Sequence, residues 1–220
     1  MSPLPNTQRV FCTSVRKDVE FSFKKRDTNK DYRKTPLYIA ALKGFTNIAE
    51  MLLKHQADPN IENDCDNVTP LYIATAKGYT EIVSMLLKFK AEPNFCDKLN
   101  RTSLYIAAEK GHYDIVKVLL KNNGDPNTSS NWYDSCQDKK TPIQIASEKG
   151  NENIVTLLLK YKADPNIRDK YNKTALYLAS AEHHTAIVKI LLQHGAELIS
   201  SVAWTIIHRL RSLQREVMMI

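Results

Sequence analysis

The residues closest to a metal-binding pattern lie near the C-terminal end of the chain. Glu182, His183 and His184 are consecutive, and His194 follows ten residues after His184. Imidazole and carboxylate groups are ordinary zinc ligands. However, the chain contains no HExxH, GxSxG, Walker or GxGxxG motif, so no constellation of residues indicates catalysis. We therefore expect no catalytic residue, no metal site, no cofactor-binding site and no enzyme activity.

The cysteines do not form a redox or zinc motif. They are unequally spaced along the chain, and no two of them form a CxxC pair. We expect all of them to be free thiols. The four cysteines are Cys12, Cys65, Cys96 and Cys136.

The composition is that of a folded, basic protein. The chain has 220 residues, of which 43% are hydrophobic, and a formal net charge of +7. No apolar run approaches the roughly 20 residues of a membrane span, and the N-terminus lacks an apolar signal-peptide core. We expect a cytoplasmic protein, with a nuclear location or secretion into a host cell as alternatives. The charge favours an acidic partner, although the Lys- and Asn-rich composition of an AT-rich genome would also produce it.

One sequence unit recurs along most of the chain. A clear copy is TPLYIATAKGYTEIVSMLLKFKAEPN, residues 69–94. Five copies start at threonines that are 34, 33, 39 and 33 residues apart. A period of about 33 residues indicates a stacked array of small units. The copies begin at Thr35, Thr69, Thr102, Thr141 and Thr174.

Each unit predicts two short helices. The Thr69 hydroxyl is suited to cap the first helix, Pro70 to occupy its first position and Gly78 to end it. We expect Thr80 to cap a second, more apolar helix in the same way. Pro93 then ends this helix and opens a turn-rich stretch.

This pattern resembles the ankyrin repeat, with its Thr-Pro-Leu-His, Ala-Ala-x-x-Gly and Leu-Leu-x-x-Gly-Ala-Asp-x-Asn hallmarks. The resemblance covers about residues 27–197. It implies an all-α ankyrin-repeat solenoid of stacked helix-turn-helix units with extended finger loops. We expect a capping or flexible segment at 1–26, repeats at about 27–60, 61–94, 95–127, 128–166 and 167–198, and a C-terminal capping helix at 199–220.

The chain departs from the family pattern at two positions. The family's His is Gln144 in one copy and Tyr in the others, and the resemblance implies that this residue ties one loop to the next by hydrogen bonds. Contact with a partner is the alternative. The family's Gly after the second helix is kept only as Gly195, and a non-glycine residue there costs roughly 1–2 kcal/mol. The tyrosines are Tyr38, Tyr72, Tyr105 and Tyr177, and the residues replacing glycine are Gln56, Lys90, Asn123 and Lys162.

The fourth repeat has a long loop that is a candidate for partner binding. Asn127 and Thr141 are 14 positions apart, whereas the third and fifth fingers span 8. The loop carries Trp132 and Tyr133, and aromatic anchors dominate binding hot spots. Packing of this loop against a neighbouring finger is the alternative.

A row of lysines recurs at the end of the predicted first helix, and the resemblance places it near the concave face. Such a ladder of ammonium groups suits an acidic partner. A second series near the end of the second helix indicates that repetition alone generates such rows. The first row, called here the lysine row, is Lys43, Lys77, Lys110 and Lys149, and the second row is Lys54, Lys88, Lys121 and Lys160.

The first four repeats end in an acidic residue, Pro and Asn. In the family, an Asn in this place resembles an asparaginyl-hydroxylase target, so these residues are candidates for modification. A structural role in the turn is the alternative. The asparagines are Asn60, Asn94, Asn127 and Asn166.

We predict a non-catalytic module that binds another protein through its finger loops and concave face. An adaptor or host-directed effector is the first alternative, coupling a target to machinery such as a ubiquitin ligase through the C-terminal helix. Nucleic-acid binding through the basic surface is the second, and its affinity would fall steeply with salt. We expect a monomer.

Overall fold

A computed structural model describes residues 34–63, 66–129 and 140–198. Over these ranges the chain forms α-helices arranged in pairs, and its one β-bridge joins Cys96 to Thr102. The predicted all-α repeat class is therefore confirmed. No described helix has the length and apolar character needed to span a membrane. The helices are α1 Pro36–Lys43, α2 Thr46–Lys54, α3 Pro70–Lys77, α4 Thr80–Lys88, α5 Ser103–Lys110, α6 Tyr113–Lys121, α7 Pro142–Glu148, α8 Glu152–Lys160, α9 Ala175–Ala181 and α10 Thr185–Gln193.

The first helix of each pair begins as the sequence predicts. The Thr69 hydroxyl accepts a hydrogen bond from the backbone N–H of Tyr72 at 3.2 Å, and Pro70 occupies the first helical position. Gly78 ends the helix at φ 78°, in the left-handed region that glycine enters without strain. The same threonine cap is present at Thr35, Thr102 and Thr174.

The second helix begins differently from the prediction. Thr80 is its first helical residue rather than its cap, and Tyr79 takes the cap position without a side-chain hydrogen bond. The backbone turn sets the start instead, because the Thr80 N–H donates to the Gly78 carbonyl at 3.0 Å. The cap side chain is thereby left for other contacts, and at Asn151 and His184 it reaches the preceding repeat. The residues in this position are Phe45, Tyr79, His112, Asn151 and His184.

The second helices end in the left-handed conformation that the family glycine would adopt. Lys90 has φ 65°, and its N–H donates to the Leu87 carbonyl while that of Ala91 donates to Leu86, which is the Schellman arrangement. The predicted left-handed conformation at non-glycine residues is confirmed, and His183 adds one more case at the end of α9. These positions have φ of 65° at Gln56, 65° at Lys90, 64° at Asn123, 65° at Lys162 and 61° at His183.

The chain divides into two compact units, Met1–Ala91 and Glu92–Ile220. In the first unit, α1 packs against α2 and α3, and α4 packs against α2 and α3. In the second unit, α7 lies between α5 and α9, and each of these three helices packs on the second helix of its own repeat. The predicted caps at 1–26 and 199–220 lie outside the described residues.

The core of each repeat is built around the third residue of the TPLY-type motif. This side chain is at most 1% exposed in every copy, and burying a Leu or Ile contributes about 1.5–3 kcal/mol. Because the motif begins with a threonine cap, the same short stretch starts the helix and anchors it in the core. The residues are Leu37, Leu71, Leu104, Ile143 and Leu176.

Candidate partner-binding surface

The lysine row lies at the C-terminal ends of the first helices. Lys43 and Lys77 end α1 and α3 in the first unit, Lys110 ends α5 in the second, and Lys149 caps α7. All four are exposed, and none forms an ion pair with another described residue. A cation at a helix C-terminus is stabilised by about 0.3–1 kcal/mol through the macrodipole. The row thus has a local cause, and its charge is also accessible to a partner.

The second row has the same local cause. Its members end α2, α4, α6 and α8 and are likewise exposed. One of them is partly neutralised, since Lys54 Nζ lies 2.7 Å from Glu50 Oε1 one turn earlier. The two rows therefore differ in position more than in chemistry, which makes the second a matched control for the first.

The turn asparagines tie successive repeats together. The Asn94 side-chain amide donates to the Asn123 carbonyl at 3.1 Å, and its oxygen accepts the Asp125 N–H at 2.8 Å. Both polar ends of the amide are thus used, which gives these residues a structural role. Their hydroxylation stays a prediction. The corresponding amide donations are Asn60 to Lys90, Asn127 to Lys162 and Asn166 to Gly195.

Two of the finger loops in the second unit share one backbone arrangement. In the Leu99 finger, residues 95–101, Asp97 Oδ1 accepts the N–H groups of Leu99 and Arg101. In the Tyr171 finger, residues 167–173, Asp169 Oδ1 accepts the equivalent N–H groups at 2.9 and 2.8 Å. Both aspartates are buried, so each loop is folded around its own carboxylate.

Gln144 holds the base of the Tyr171 finger. Its side-chain nitrogen donates to the carbonyls of Ile167 and Lys173, each at 2.9 Å, and its oxygen accepts the Thr141 N–H at 2.7 Å. The side chain is completely buried. The role that the resemblance implied for this position, tying one loop to the next, is confirmed at Gln144. In the first unit, the Tyr38 hydroxyl instead accepts a 3.5 Å hydrogen bond from the Asn63 side-chain amide.

The tip of the Tyr171 finger carries an aromatic ring surrounded by cations. Tyr171 is 57% exposed. Lys170 Nζ lies 4.7 Å from the centre of its ring and Lys173 Nζ 5.5 Å, while Lys173 is also 5.2 Å from the Tyr177 ring. These distances are in the range of cation–π attraction. Tyr171 was not among the predicted contact residues, although its place between lysines at positions 170 and 173 was a signal in the sequence.

The exit of the long fourth-repeat loop is fixed by a largely buried ion pair. Lys140 Nζ lies 2.7 Å from Glu148 Oε2, and the two side chains are 11% and 27% exposed. Burial and then the Glu109 carboxylate raise the pKa of the nearby Tyr105 to about 12, against the opposing charges of Lys140 and Arg101. Trp132 and Tyr133, which precede this anchor, lie outside the described residues.

Side chains that cap the second helices also join repeats, a role that the sequence analysis missed. The Asn151 amide donates to the Ala108 carbonyl at 3.0 Å, and His184 Nε2 lies 3.2 Å from the Glu148 carbonyl. His184 leaves no room for a side chain at Gly150, where a Cβ would lie 2.6 Å from its ring. The signal in the sequence was the residue that follows the left-handed turn residue, which is glycine in the first four copies and His183 in the fifth.

Among the other candidate metal ligands, His194 has a local partner and His183 has a structural place in a turn. His194 Nδ1 lies 2.8 Å from the Ile190 carbonyl, and His183 occupies the left-handed turn after α9. The part of the chain that the structure describes contains no group of three His, Cys, Asp or Glu side chains suited to a metal ion. Cys96 is a free thiol whose pKa is raised by burial and by Asp97. Cys12, Cys65 and Cys136 lie outside the described residues.

Paired helices, threonine caps and interlocked finger loops define a helical-repeat protein. The family profile described as ankyrin repeats (3 copies) matches residues 56–131 and 128–201, and the single ankyrin repeat profile matches residues 32–64. The chain belongs to the ankyrin-repeat family, whose members are generally protein–protein interaction modules. No curated protein gave a significant match.

Proposed function

We propose that the chain is a non-catalytic module that binds a protein partner through its finger loops and the lysine row. The observation that carries the proposal is a set of apolar side chains exposed on loops that are internally hydrogen-bonded. Exposed aromatic and aliphatic side chains on an ordered surface favour contact with a partner. These side chains are Ile61 at 45%, Phe95 at 38%, Leu99 at 38% and Tyr171 at 57% exposure.

The Leu99 and Tyr171 fingers are ordered before any partner binds. The buried carboxylates of Asp97 and Asp169 organise them, Gln144 fixes the base of one, and the turn asparagines join consecutive turns. Less loop entropy is then lost on binding, so more of the contact energy appears as affinity. Preorganisation of this kind supports a binding role for the fingers.

The lysine row supplies the electrostatic part of the proposal. Its four ammonium groups are exposed and contribute to a net charge of +7. Repeated positive charge accelerates encounter with an acidic surface and disfavours basic partners. The long-loop residues Trp132 and Tyr133 are proposed, on the sequence alone, as additional aromatic contacts.

The test begins with affinity capture from a cell lysate at low and at high salt, followed by affinity measurements on the partner recovered. One variant replaces the lysine row by glutamine at Lys43, Lys77, Lys110 and Lys149. The matched control makes the same replacement at Lys54, Lys88, Lys121 and Lys160, so both variants lose equal charge.

We expect the lysine-row variant to bind about tenfold more weakly, since exposed ion pairs contribute about 0.2–1 kcal/mol each, and the control to bind nearly as the parent does. Trp132→Ala/Tyr133→Ala should weaken binding further without unfolding the protein. Equal affinity for all variants would remove both surfaces from the proposal. If the capture instead recovers nucleic acid that is released at high salt, binding of nucleic acid through the basic surface would replace protein binding as the proposed function.

A further inference from the structure

The Leu99 and Tyr171 fingers differ in the residue that follows their shared turn. Each turn contains an asparagine in the left-handed region, at φ 56° for Asn100 and 62° for Asn172. The next residue is Arg101 in one finger and Lys173 in the other. Because the two fingers share the same backbone hydrogen bonds, this one residue decides where the positive charge of each finger lies.

Arg101 is used inside its own finger. Its Nε donates to Asp97 Oδ2 at 2.9 Å, and a second guanidinium nitrogen lies 2.7 Å from the same oxygen. The positive charge of Arg101 is therefore neutralised where it arises. This leaves the Leu99 finger with an exposed aliphatic tip and Lys98 as its remaining cation.

Lys173 is not used in this way. Its ammonium group lies over the rings of Tyr171 and Tyr177, and Asp169 Oδ2, although buried, has no hydrogen-bond partner among the described residues. A lysine has a single charged nitrogen and lacks the planar fork with which Arg101 reaches the aspartate. The Lys173 charge thus lies on the finger surface beside that of Lys170.

We propose that the Tyr171 finger is a docking site for an acidic peptide segment of the protein partner. Carboxylates of the segment pair with the Lys173 ammonium group and with the cations beside it on the finger. The finger carries three cations, Arg168, Lys170 and Lys173, against one buried carboxylate. This inference deepens the proposed function and rests on it.

The same geometry disfavours a nucleic acid at this finger. Single-stranded nucleic acids bind by stacking bases on open aromatic faces. Here two ammonium groups lie within 5.5 Å of the Tyr171 ring centre and one lies 5.2 Å from that of Tyr177. A carboxylate needs the ammonium groups rather than the ring faces, so it fits the arrangement as it stands.

The test uses the full chain labelled with nitrogen-15 and a short oligoglutamate peptide as the probe. Backbone amide shifts are followed during titration, with oligoglutamine and oligothymidine of equal length as comparison ligands. The test variant is Lys170→Gln/Lys173→Gln. The control variant, Lys98→Gln/Lys121→Gln, removes two exposed charges from other sites in the second unit.

We expect oligoglutamate to shift amides of residues 167–177, and we expect about tenfold weaker binding in the test variant but not in the control. Shifts spread over all lysine-bearing helices, or equal effects of both variants, would overturn the inference. A larger response at Tyr171 to oligothymidine would replace the acidic peptide by a nucleic acid. If oligoglutamate does not bind at the Tyr171 finger but binding of the recovered partner still depends on the lysine row, this inference is refuted and the proposed function stands.

Discussion

At the scale of single residues, the two fingers show how one side chain decides where a charge lies. Asp97 and Asp169 accept the same two backbone hydrogen bonds through Oδ1. Only Asp97 has its second oxygen bound, because Arg101 reaches it and Lys173 does not reach its equivalent. A buried acceptor without a partner lowers stability.

Lys173→Arg should therefore stabilise the protein. The guanidinium group would pair with Asp169 as Arg101 pairs with Asp97, and a hydrogen bond to a charged group contributes about 1.5–3 kcal/mol before the lost cation–π contacts are subtracted. We expect a net gain of about 1 kcal/mol in the free energy of unfolding, measured by urea denaturation. The reverse change, Arg101→Lys, should lower stability by a similar amount. A destabilised Lys173→Arg variant would contradict this account.

Tyr105 provides a second test at the same scale. Its pKa rises from 10.0 to about 12 because burial and Glu109 disfavour the phenolate. A raised pKa in the folded state means that the contribution of Tyr105 to stability is complete below pH about 10 and is lost as the pH rises through about 12. Subtracting the phenolate absorbance titration of Tyr105→Phe from that of the parent should isolate one group ionising near pH 12. A difference curve centred near pH 10 would show that the phenol is not protected.

At the scale of the helix, the ends of the second helices are where this chain departs most from its family. The left-handed residue after each second helix is Gly195 in the last repeat and a larger residue in the others. Such residues cost about 1–2 kcal/mol each in this conformation, and less for asparagine. The helices persist because their apolar faces are buried, as with Ile82 and Leu86 in α4.

Lys90→Gly and Lys162→Gly should each raise the free energy of unfolding by about 0.5–1 kcal/mol. The relief of left-handed strain exceeds the extra entropy that glycine brings to the unfolded chain. Gly195→Ala is the matched reverse control, because a Cβ there meets no atom within 4 Å and only the backbone conformation, φ 83°, opposes it. We expect it to lose about 1 kcal/mol in urea denaturation. If none of the three substitutions changed the free energy of unfolding, the left-handed conformation would have no net cost at these sites.

At the scale of the whole molecule, repetition underlies both the stability of the chain and the surface proposed for recognition. Within each compact unit, a repeat contributes one helix pair that packs on the helices of its neighbour, and in such arrays stability is approximately a sum of repeat and interface terms. The same repetition places a lysine at the end of every first helix from α1 to α7. The proposed docking site lies where a copy departs from the pattern, at the Tyr171 finger.

The sequence by itself determined the features that depend on neighbours along the chain. The period of the TPLY-type motif, the caps at Thr35 and Thr69 and the left-handed Lys90 follow from backbone geometry within a few residues. The predicted cap at Thr80 was wrong because the preceding glycine turn already starts that helix. Interactions between residues close in sequence were sufficient to predict the fold. Because the same pattern recurs in five copies, an error at one position did not change that prediction.

Only the tertiary structure decided which polar groups meet across repeats. Gln144 reaches Lys173 across 29 positions, His184 reaches Glu148 across 36, and Lys140 pairs with Glu148 at the exit of a long loop. The contrast between Arg101 and Lys173 is equally hidden in the sequence, where both are simply basic residues. Whether a cation pairs with a buried carboxylate or lies over exposed rings depends on reach and on local packing, and composition and spacing do not encode these.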